Sequence, residues 1–412
     1  MSYDYIIVGQ GIAGTVFSWT LIQQGKKVLV IDHREKPSSS EIALGIYNPV
    51  VFKRMTKSWK ADEIIPVAEE FYSVLESKLG ISALHKKQIL KIFSSEDEKT
   101  FWKKKMNAGE ASDFMSLPQE NSEYSDFISD EVGSAEVQSS GWLDTAMLLS
   151  HYREFLRENN MLSSEKFDHS QLKTDELELE WNGISATRII FCEGSRATVN
   201  PFFKNLPFVL TKGEMLTIRI KNFTPQNIIN KSIYILHEYD DVFKVGATYD
   251  WDDLTDITTE KGKSDLVEKL KKVLKTDYEI LDQQAAIRPT VKDRRPLIGL
   301  HHEDKRIGIF NGMGTKGVMI APFFAKQFAE HLENNSVLDS EVILKGLYLC
   351  KMSTAIFSSY SEDKLNLLIL LAKELGISTR KIQTDKVNDK IPFAAISESS
   401  LAEEWLSEED NR

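Results

Sequence analysis

Residues 5–14 read YIIVGQGIAG, and this stretch decides the fold of the chain. Its first four residues are apolar β-formers, which is typical of a strand buried on both faces. A complete G-x-G-x-x-G turn follows, and apolar residues then recur at helical spacing until Gly25 ends the helix. A second apolar run, residues 27–31, ends at Asp32. Strand, turn, helix, strand and acid therefore occur in the order of a dinucleotide-binding unit.

The three glycines of the turn have separate physical roles in such a unit. Gly9 makes the tight turn, Gly11 lets the backbone approach a pyrophosphate, and Gly14 lets the helix pack against the strand. The pyrophosphate would sit at the helix N-terminus, where free N–H groups and the helix dipole favour anions. Asp32 is spaced to accept hydrogen bonds from the adenosine ribose. The same site is expected to include Ile12, Ala13 and His33. The motif alone does not choose between FAD and NAD.

Length and composition limit the class of protein. A chain of 412 residues is longer than one typical domain. The formal charge of -11 argues against a general nucleic-acid binder, because phosphate attraction needs a basic surface. Cys192 and Cys350 lie far apart and match no metal or redox spacing, which suits a reducing compartment. The chain opens without a signal-like segment and has no long apolar run. We therefore expect a cytoplasmic protein with no metal site and no membrane partner.

Five further segments occur in an order that resembles one enzyme family. They are residues 38–49, 212–214, 245–249, 287–299 and 311–322. The fourth is similar to the R-P-x-T-x-D-x-x-P-x-x-G signature of the D-amino-acid oxidase superfamily, which includes glycine oxidase. The fifth is similar to the final glycine-rich loop and helix of that family. The resemblance covers residues 3–335 and implies an FAD-dependent oxidoreductase.

The resemblance also implies the architecture. We expect an α/β protein with a Rossmann-like FAD-binding domain, whose doubly wound sheet is mainly parallel. A discontinuous α+β substrate domain is expected to carry an antiparallel sheet. The FAD-binding domain would comprise residues 1–80, 136–205 and 285–351, and the substrate domain residues 81–135 and 206–284. Residues 81–135 have a charged, irregular pattern. Candidates for pocket lining are Tyr47, Tyr234, Tyr239 and Tyr249.

Family membership would assign a set of residues to non-covalent FAD. Ala43 and Gly45 belong to the segment that passes beside the flavin, and Gly194 ends a further strand of the nucleotide domain. The glycine-rich loop contributes Gly312, Met313, Gly314, Thr315, Lys316 and Gly317. The helix that follows this loop can stabilise negative charge at the N1/O2 edge of a reduced flavin. No cysteine falls in the loop, so we expect no covalent attachment.

Arg288 is the sharpest candidate for a substrate-binding residue. It matches the family arginine that holds a substrate carboxylate, and a guanidinium suits this role because it pairs with a carboxylate through two hydrogen bonds. The alternative is a structural pair with Asp293 or another acid. The implied reaction passes hydride from the α-carbon of a small amine or amino acid to flavin N5. The resulting imine hydrolyses. Glycine, sarcosine and D-amino acids are the expected substrate types, and the electron acceptor is O2 or an unidentified molecule.

Other functions remain open at this point. Residues 43–49 and the basic run 53–60 also resemble the flavin domain of a bifunctional tRNA wobble-uridine-modifying enzyme, which oxidises a carboxymethylaminomethyl group. A tRNA substrate is the less favoured reading, because a charge run is usually a solvated face. A dehydrogenase for an amine or 2-hydroxy acid with a non-oxygen acceptor is another candidate. The non-enzymatic alternative is a flavin-containing scaffold.

The tail, residues 352–412, departs from the family pattern. It contains an amphipathic stripe formed by Leu365, Leu368 and Ile369, followed by an acidic helical segment. Its pattern resembles a short antitoxin-like or adaptor-like segment. We expect a short helical appendage that either docks weakly on the main body or binds a protein partner.

Overall fold

A computed structural model describes residues 2–109, 111–174 and 177–344 of the chain. Within these ranges the strands are β1 (Ser2–Val8), β2 (Val28–Ile31), β3 (Ile46–Tyr47), β4 (Val50–Val51), β5 (Thr56–Lys57), β6 (Leu84–Lys86), β7 (Ile89–Ile92), β8 (Ser134–Val137), β9 (Gly141–Leu143), β10 (Leu162–Ser163), β11 (Leu172–Lys173), β12 (Leu179–Trp181), β13 (Ile184–Phe191), β14 (Thr211–Arg219), β15 (Ile228–Lys231), β16 (Ile233–Tyr239), β17 (Val242–Gly246), β18 (Glu279–Arg288), β19 (Leu297–Leu300) and β20 (Ile307–Asn311).

The α-helices of the same ranges are α1 (Ile12–Gln23), α2 (Ser39–Ile42), α3 (Ala61–Leu79), α4 (Glu96–Asn107), α5 (Thr145–Glu158), α6 (Glu260–Lys271) and α7 (Gly317–Asn334). Short 3-10 turns occur at Ser112–Phe114, His169–Gln171 and Gly194–Val199. Residues Met1–Ile343 form one compact unit.

The first sheet is built on the predicted nucleotide unit. Its parallel part runs in the order β10-β2-β1-β13-β20, with β12, β11 and β19 added antiparallel. Helix α1 connects β1 to β2 and packs against α7. Phe17 of α1 stacks on Phe310 of β20 and Phe328 of α7, with ring centroids 5.1 Å and 5.2 Å away. This buried aromatic contact joins the sheet to both helices.

The second sheet is the substrate-side sheet, with seven strands in the order β18-β14-β17-β16-β15-β7-β8. All its pairings are antiparallel except β7 with β15. Successive side chains alternate between its two faces. One face carries Leu216, Ile235 and Val245, which pack into a buried cluster with Leu266 and Leu270 of α6. The opposite face contributes Ile228 and Leu236 to the main hydrophobic cluster, and Met215 and Tyr234 to the lining of a cavity.

The predicted fold class is confirmed in both parts, a mainly parallel α/β sheet and a largely antiparallel second sheet. The stretch 81–135 is more regular than expected, because it contains α4 and contributes β7 to the second sheet. Helix α4 is capped at its N-terminus by Ser95, whose hydroxyl accepts a hydrogen bond from the Glu98 N–H at 3.2 Å. The domain boundaries remain a prediction. The predicted tail helix with Leu365 lies outside the described residues.

Candidate active site

A cavity of about 1250 Å³ is lined by the nucleotide turn, by the substrate-side sheet and by the loop before α7. It brings together most of the residues predicted from the sequence. Those that line it are Gly9, Gly11, Ile12, Ala13, Asp32, His33, Ala43, Gly45, Gly194, Arg288, Met313, Gly314, Thr315, Lys316 and Gly317. Gly14 and Gly312 do not line the cavity. Gly14 packs against the Gly9 carbonyl oxygen, and Gly312 packs against Val291 and Leu297.

The glycine-rich turn is shaped by close backbone contacts. Gly9 has φ +100°, and a Cβ at Gly14 would lie only 1.8 Å from the Gly9 carbonyl oxygen. A side chain at Gly14 would therefore push α1 away from the turn. Helix α1 begins at Gly11 without a side-chain cap, and the Ile12 N–H donates to Ser40 Oγ at 3.1 Å. Ser40 is not among the cofactor-binding residues predicted from the sequence.

Asp32 at the end of β2 is held by two partners. Its Oδ2 accepts the Gln10 N–H at 2.9 Å, and its Oδ1 accepts Nη1 of Arg153 at 2.8 Å. Arg153 Nη2 also donates to the Asp32 carbonyl oxygen at 2.8 Å. The carboxylate keeps further lone pairs for ribose hydroxyls. Arg153 lies on α5, 121 residues from Asp32 and outside any motif, so no local signal could have identified it.

The segment with Ala43 and Gly45 is positioned by the short helix α2. Ser38 and Glu41 form a capping box, in which Ser38 Oγ accepts the Glu41 N–H at 3.3 Å and the Ser38 N–H donates to Glu41 Oε2 at 2.7 Å. The chain then turns along the cavity through Ala43 and Gly45. The capping box within residues 38–49 therefore helps to set the path of this segment along the cavity.

The loop before α7 brings one amino group to the cavity. Lys316 Nζ donates to Ser58 Oγ at 2.6 Å and forms no ion pair with a carboxylate within the described ranges. Burial of the amino group, aided by the nearby charge of Arg294, lowers the pKa of Lys316 to about 8. Asn311, just before the loop, donates from Nδ2 to the Gly194 carbonyl oxygen at 2.9 Å. This bond ties two of the predicted cofactor segments together.

Arg288 ends β18 on the cavity side of the second sheet. Its Nη1 donates to the carbonyl oxygens of Lys212 at 3.3 Å and Thr248 at 3.2 Å. The guanidinium crosses Gly213, where a Cβ would lie 1.9 Å from Nη2, so only glycine leaves room for it. Burial lowers the pKa of Arg288.

The structural alternative for Arg288 receives no support from the described residues. Among them, Arg288 forms no ion pair with any carboxylate. Asp293 instead accepts the Arg295 N–H at 2.9 Å. A half-buried guanidinium that lines a cavity without an acid partner has donors available for an anionic ligand.

The candidate tyrosines divide into two groups. Tyr47, Tyr234 and Tyr249 line the cavity, whereas Tyr239 is 58% exposed and does not. Asn48 Nδ2 donates to the Tyr234 hydroxyl at 3.0 Å. Burial raises the pKa of Tyr234 to about 12, so this hydroxyl stays protonated near neutral pH.

Comparison with known proteins places the chain in a family. Residues 4–331 match the model of the DAO family, described as FAD dependent oxidoreductase. The chain belongs to this family. Glycine oxidase of Bacillus licheniformis is 24% identical over 364 residues, which covers 81% of this chain and 94% of that protein. The segments that resembled the D-amino-acid oxidase superfamily therefore identified the family correctly.

Solved structures share the fold at lower sequence identity. Glycine oxidase of Geobacillus kaustophilus superposes with a TM-score of 0.69 at 16% identity, covering 84% of this chain and 97% of that one. Iminodiacetate oxidase of Chelativorans sp. BNC1 gives 0.66 at 17% identity, covering 83% and 98%. Both similarities show the fold alone.

The DAO-family chain is an FAD-dependent oxidoreductase, as the sequence predicted. Its cavity fits the cofactor. The glycine turn 9–14 leaves room for a pyrophosphate at the N-terminus of α1, and the Asp32 carboxylate beside it can accept hydrogen bonds from the ribose. The individual residue roles in FAD binding remain predictions. Among the described residues, none of the helices combines the length and the apolar character needed to cross a bilayer.

Proposed function

We propose that this DAO-family protein oxidises the C–N bond of a small amino acid or N-substituted amino acid whose carboxylate is bound by Arg288. The observation that carries the proposal is the guanidinium of Arg288, which lines the cavity and lacks an acid partner among the described residues. Even a half-buried guanidinium without a counter-charge loses hydration that no acid partner replaces. A substrate carboxylate would supply the missing counter-charge and form the bidentate pair that arginine favours.

The surroundings of Arg288 suit this role. The Tyr249 ring covers the guanidinium, and its centre lies 4.6 Å from Cζ of Arg288. Two backbone carbonyls hold Nη1, which limits the rotation of the group. A substrate bound through its carboxylate would therefore be held in one orientation, and orientation is a large part of the catalytic effect.

Bound FAD supplies a flavin ring that accepts hydride from the substrate α-carbon. The substrate loses a C–H hydride and the N–H proton to become an imine. Water then hydrolyses the imine to a carbonyl compound and a free amine. The nitrogen must be neutral before the hydride leaves, and a partly desolvated cavity favours the neutral amine. The chain's own task is to bind the carboxylate, to orient the α-carbon and to limit access of water.

The tRNA alternative depended on residues 43–49 together with the basic run 53–60. Within that run, Lys57 pairs with Asp62, and Lys60 pairs with Asp339 at 3.0 Å. Lys53 is exposed and lines the cavity. Two of the run's four cations thus have local acidic partners, whereas Lys53 and Arg54 have no ion pair among the described residues. The local pairing reduces the basic surface offered to RNA and supports a small amine as the substrate.

The decisive experiment is anaerobic flavin reduction. Purified holoprotein is mixed with glycine, sarcosine, a set of D-amino acids and a tRNA bearing the carboxymethylaminomethyl group. We expect the flavin absorbance to bleach with at least one free amino acid and to return when O2 is admitted. Bleaching by the modified tRNA alone would replace the proposal with the tRNA function. No bleaching by any amine would overturn it.

A further inference from the structure

The loop between β17 and α6, residues 247–259, has an unusually apolar surface. Among the described residues, fourteen large hydrophobic side chains are exposed, and four of them belong to this loop: Tyr249, Trp251, Leu254 and Ile257. Tyr249 is 57% and Trp251 is 59% exposed. Their rings stack with centroids 6.1 Å apart and planes 25° from parallel. Exposed aromatic rings of this kind commonly mark a binding surface.

Buried charges hold the loop in place on strand β14. Lys212 is only 1% exposed, and its Nζ donates to the Ile257 carbonyl oxygen at 2.5 Å and pairs with Asp253. Hydrogen bonding to Lys212 keeps the pKa of Asp253 well below its usual range. Glu214 accepts the Thr259 N–H at 2.9 Å and the Thr259 hydroxyl at 2.6 Å. The aromatic pair is therefore presented by an anchored loop.

The pair is continuous with the proposed carboxylate site. Tyr249 lines the cavity and covers the guanidinium of Arg288 at 4.6 Å. Trp251 stacks on Tyr249 at the exposed side of the same loop. A ligand whose carboxylate is bound by Arg288 would meet the Tyr249 ring inside the cavity. Trp251 does not line the cavity and would contact only a group that extends outward past Tyr249.

We propose that Tyr249 and Trp251 form a stacking surface for a flat ring on the substrate. The substrate class is then a small carboxylate-bearing amine that carries an aromatic or heteroaromatic ring. The assignment rests on the proposed binding of a carboxylate by Arg288. The physical basis is that two aromatic rings offer a large apolar area and prefer offset stacking with another ring.

The test measures binding of two carboxylates that differ by one ring. Acetate and phenylacetate are titrated into the FAD-loaded protein, and the flavin absorbance change gives each Kd. We expect wild-type protein to bind phenylacetate at least about tenfold more tightly than acetate, and Trp251→Ala to reduce this preference to about threefold or less. Tyr239→Ala removes an equally exposed aromatic outside the loop and should keep the wild-type preference.

The loop anchor offers a second variant. Asp253→Asn removes the carboxylate that holds Lys212 to the loop, so that only Glu214, 3.8 Å from Lys212 Nζ, remains as its acidic partner among the described residues. The variant should also lower the preference for phenylacetate while FAD content stays normal. Arg288→Ala should weaken both ligands, which tests the carboxylate site separately. Equal binding of acetate and phenylacetate by wild-type protein would overturn the stacking surface and leave Arg288 in its role. An unchanged preference for phenylacetate in Trp251→Ala would also overturn the stacking surface and leave the role of Arg288 intact. Failure of wild-type protein to bind either carboxylate would overturn both proposals.

Discussion

The guanidinium carbon of Arg288 lies 4.6 Å from the centre of the Tyr249 ring, within cation–π range. Arg288 also donates hydrogen bonds from Nη1 to two backbone carbonyl oxygens, and it makes no further hydrogen bond within the described residues. The ring and the carbonyls fix the position of the group, while Nη2 and Nε keep donors for a ligand. This arrangement connects the anchored loop of the second sheet with the proposed carboxylate site.

Replacing Arg288 with lysine should impair substrate binding selectively. Lysine cannot reproduce the paired hydrogen bonds of guanidinium, so we expect a strongly raised apparent KM and a loss of about 2–4 kcal/mol in kcat/KM. FAD content should stay near normal. Steady-state kinetics with the best amino-acid substrate measure the effect. Arg219→Lys, at an exposed ion pair with Glu279, is the control and should change neither quantity. An unchanged KM for every carboxylate substrate would return Arg288 to a structural role.

Replacing Gly11 with valine should abolish FAD binding. The backbone at Gly11 is extended, with φ −78°, a conformation that valine also adopts, and an added Cβ would require only a small shift of Ser40 Oγ, 3.2 Å away. The loss would come from a side chain in the space that the pyrophosphate needs. Wild-type protein should be yellow and should release intact FAD on heating or acid treatment. Gly25→Asn, where no atom lies within 4 Å of an added Cβ, should stay yellow. Flavin that stays with the denatured wild-type protein would contradict non-covalent binding.

Arg153→Leu should weaken FAD binding, because Asp32 loses the partner that orients its carboxylate. Hydrogen bonds to charged groups are worth about 1.5–3 kcal/mol, so we expect the Kd of FAD to rise by at least about tenfold. The matched control is Arg157→Leu, one turn later on α5, whose side chain is 68% exposed. Fluorescence titration of apoprotein with FAD measures both. Equal affinities in the two variants would show that Arg153 does not act through Asp32.

Lys316 should make the stability of the apoprotein depend on pH. Its pKa of about 8 lies below the value of 10.5 for an unperturbed lysine. Between these two values the unfolded chain binds more protons than the folded one, so the free energy of unfolding should rise with pH. Lys316→Met removes the buried charge. At neutral pH the variant should be more stable than wild type, and the difference should shrink as pH rises through this window.

Urea unfolding of the two apoproteins from about pH 7 to about pH 10 checks the Lys316 prediction. In the variant the Ser58 hydroxyl still donates a hydrogen bond to the Asn48 carbonyl oxygen, so this hydroxyl keeps a partner. Lys326→Met, at an exposed position of the same helix, should show no such trend. A stability difference independent of pH would mean that the Lys316 charge is not buried in solution.

Deleting residues 352–412 should leave FAD binding and turnover within a few-fold of the full chain. The family match ends at residue 331, and the compact unit ends at Ile343. The deleted segment contains too little apolar sequence to bury a core of its own. FAD content and substrate turnover of the truncated protein are the measurements. An empty flavin site or insoluble protein would show that the tail is an integral structural element.

The sequence by itself determined the nucleotide unit and the family. Both depend on short-range signals: the glycine spacing of residues 9–14, the periodicity of the flanking elements and the order of five short segments. Arg288 also emerged from one of those segments. In each case the information lies within about a dozen consecutive residues, where backbone sterics and side-chain alternation act directly.

Only the tertiary structure decided how distant residues meet. Arg153 reaches Asp32 across 121 residues, and the register of β14 with β18 places Gly213 beneath Arg288. Which face of a strand turns to the cavity depends on that register, because a slip of one residue exchanges the two faces. The approach of Tyr249 to Arg288 likewise requires the buried anchor of its loop at Lys212. Such contacts depend on long-range packing, for which no local sequence pattern exists.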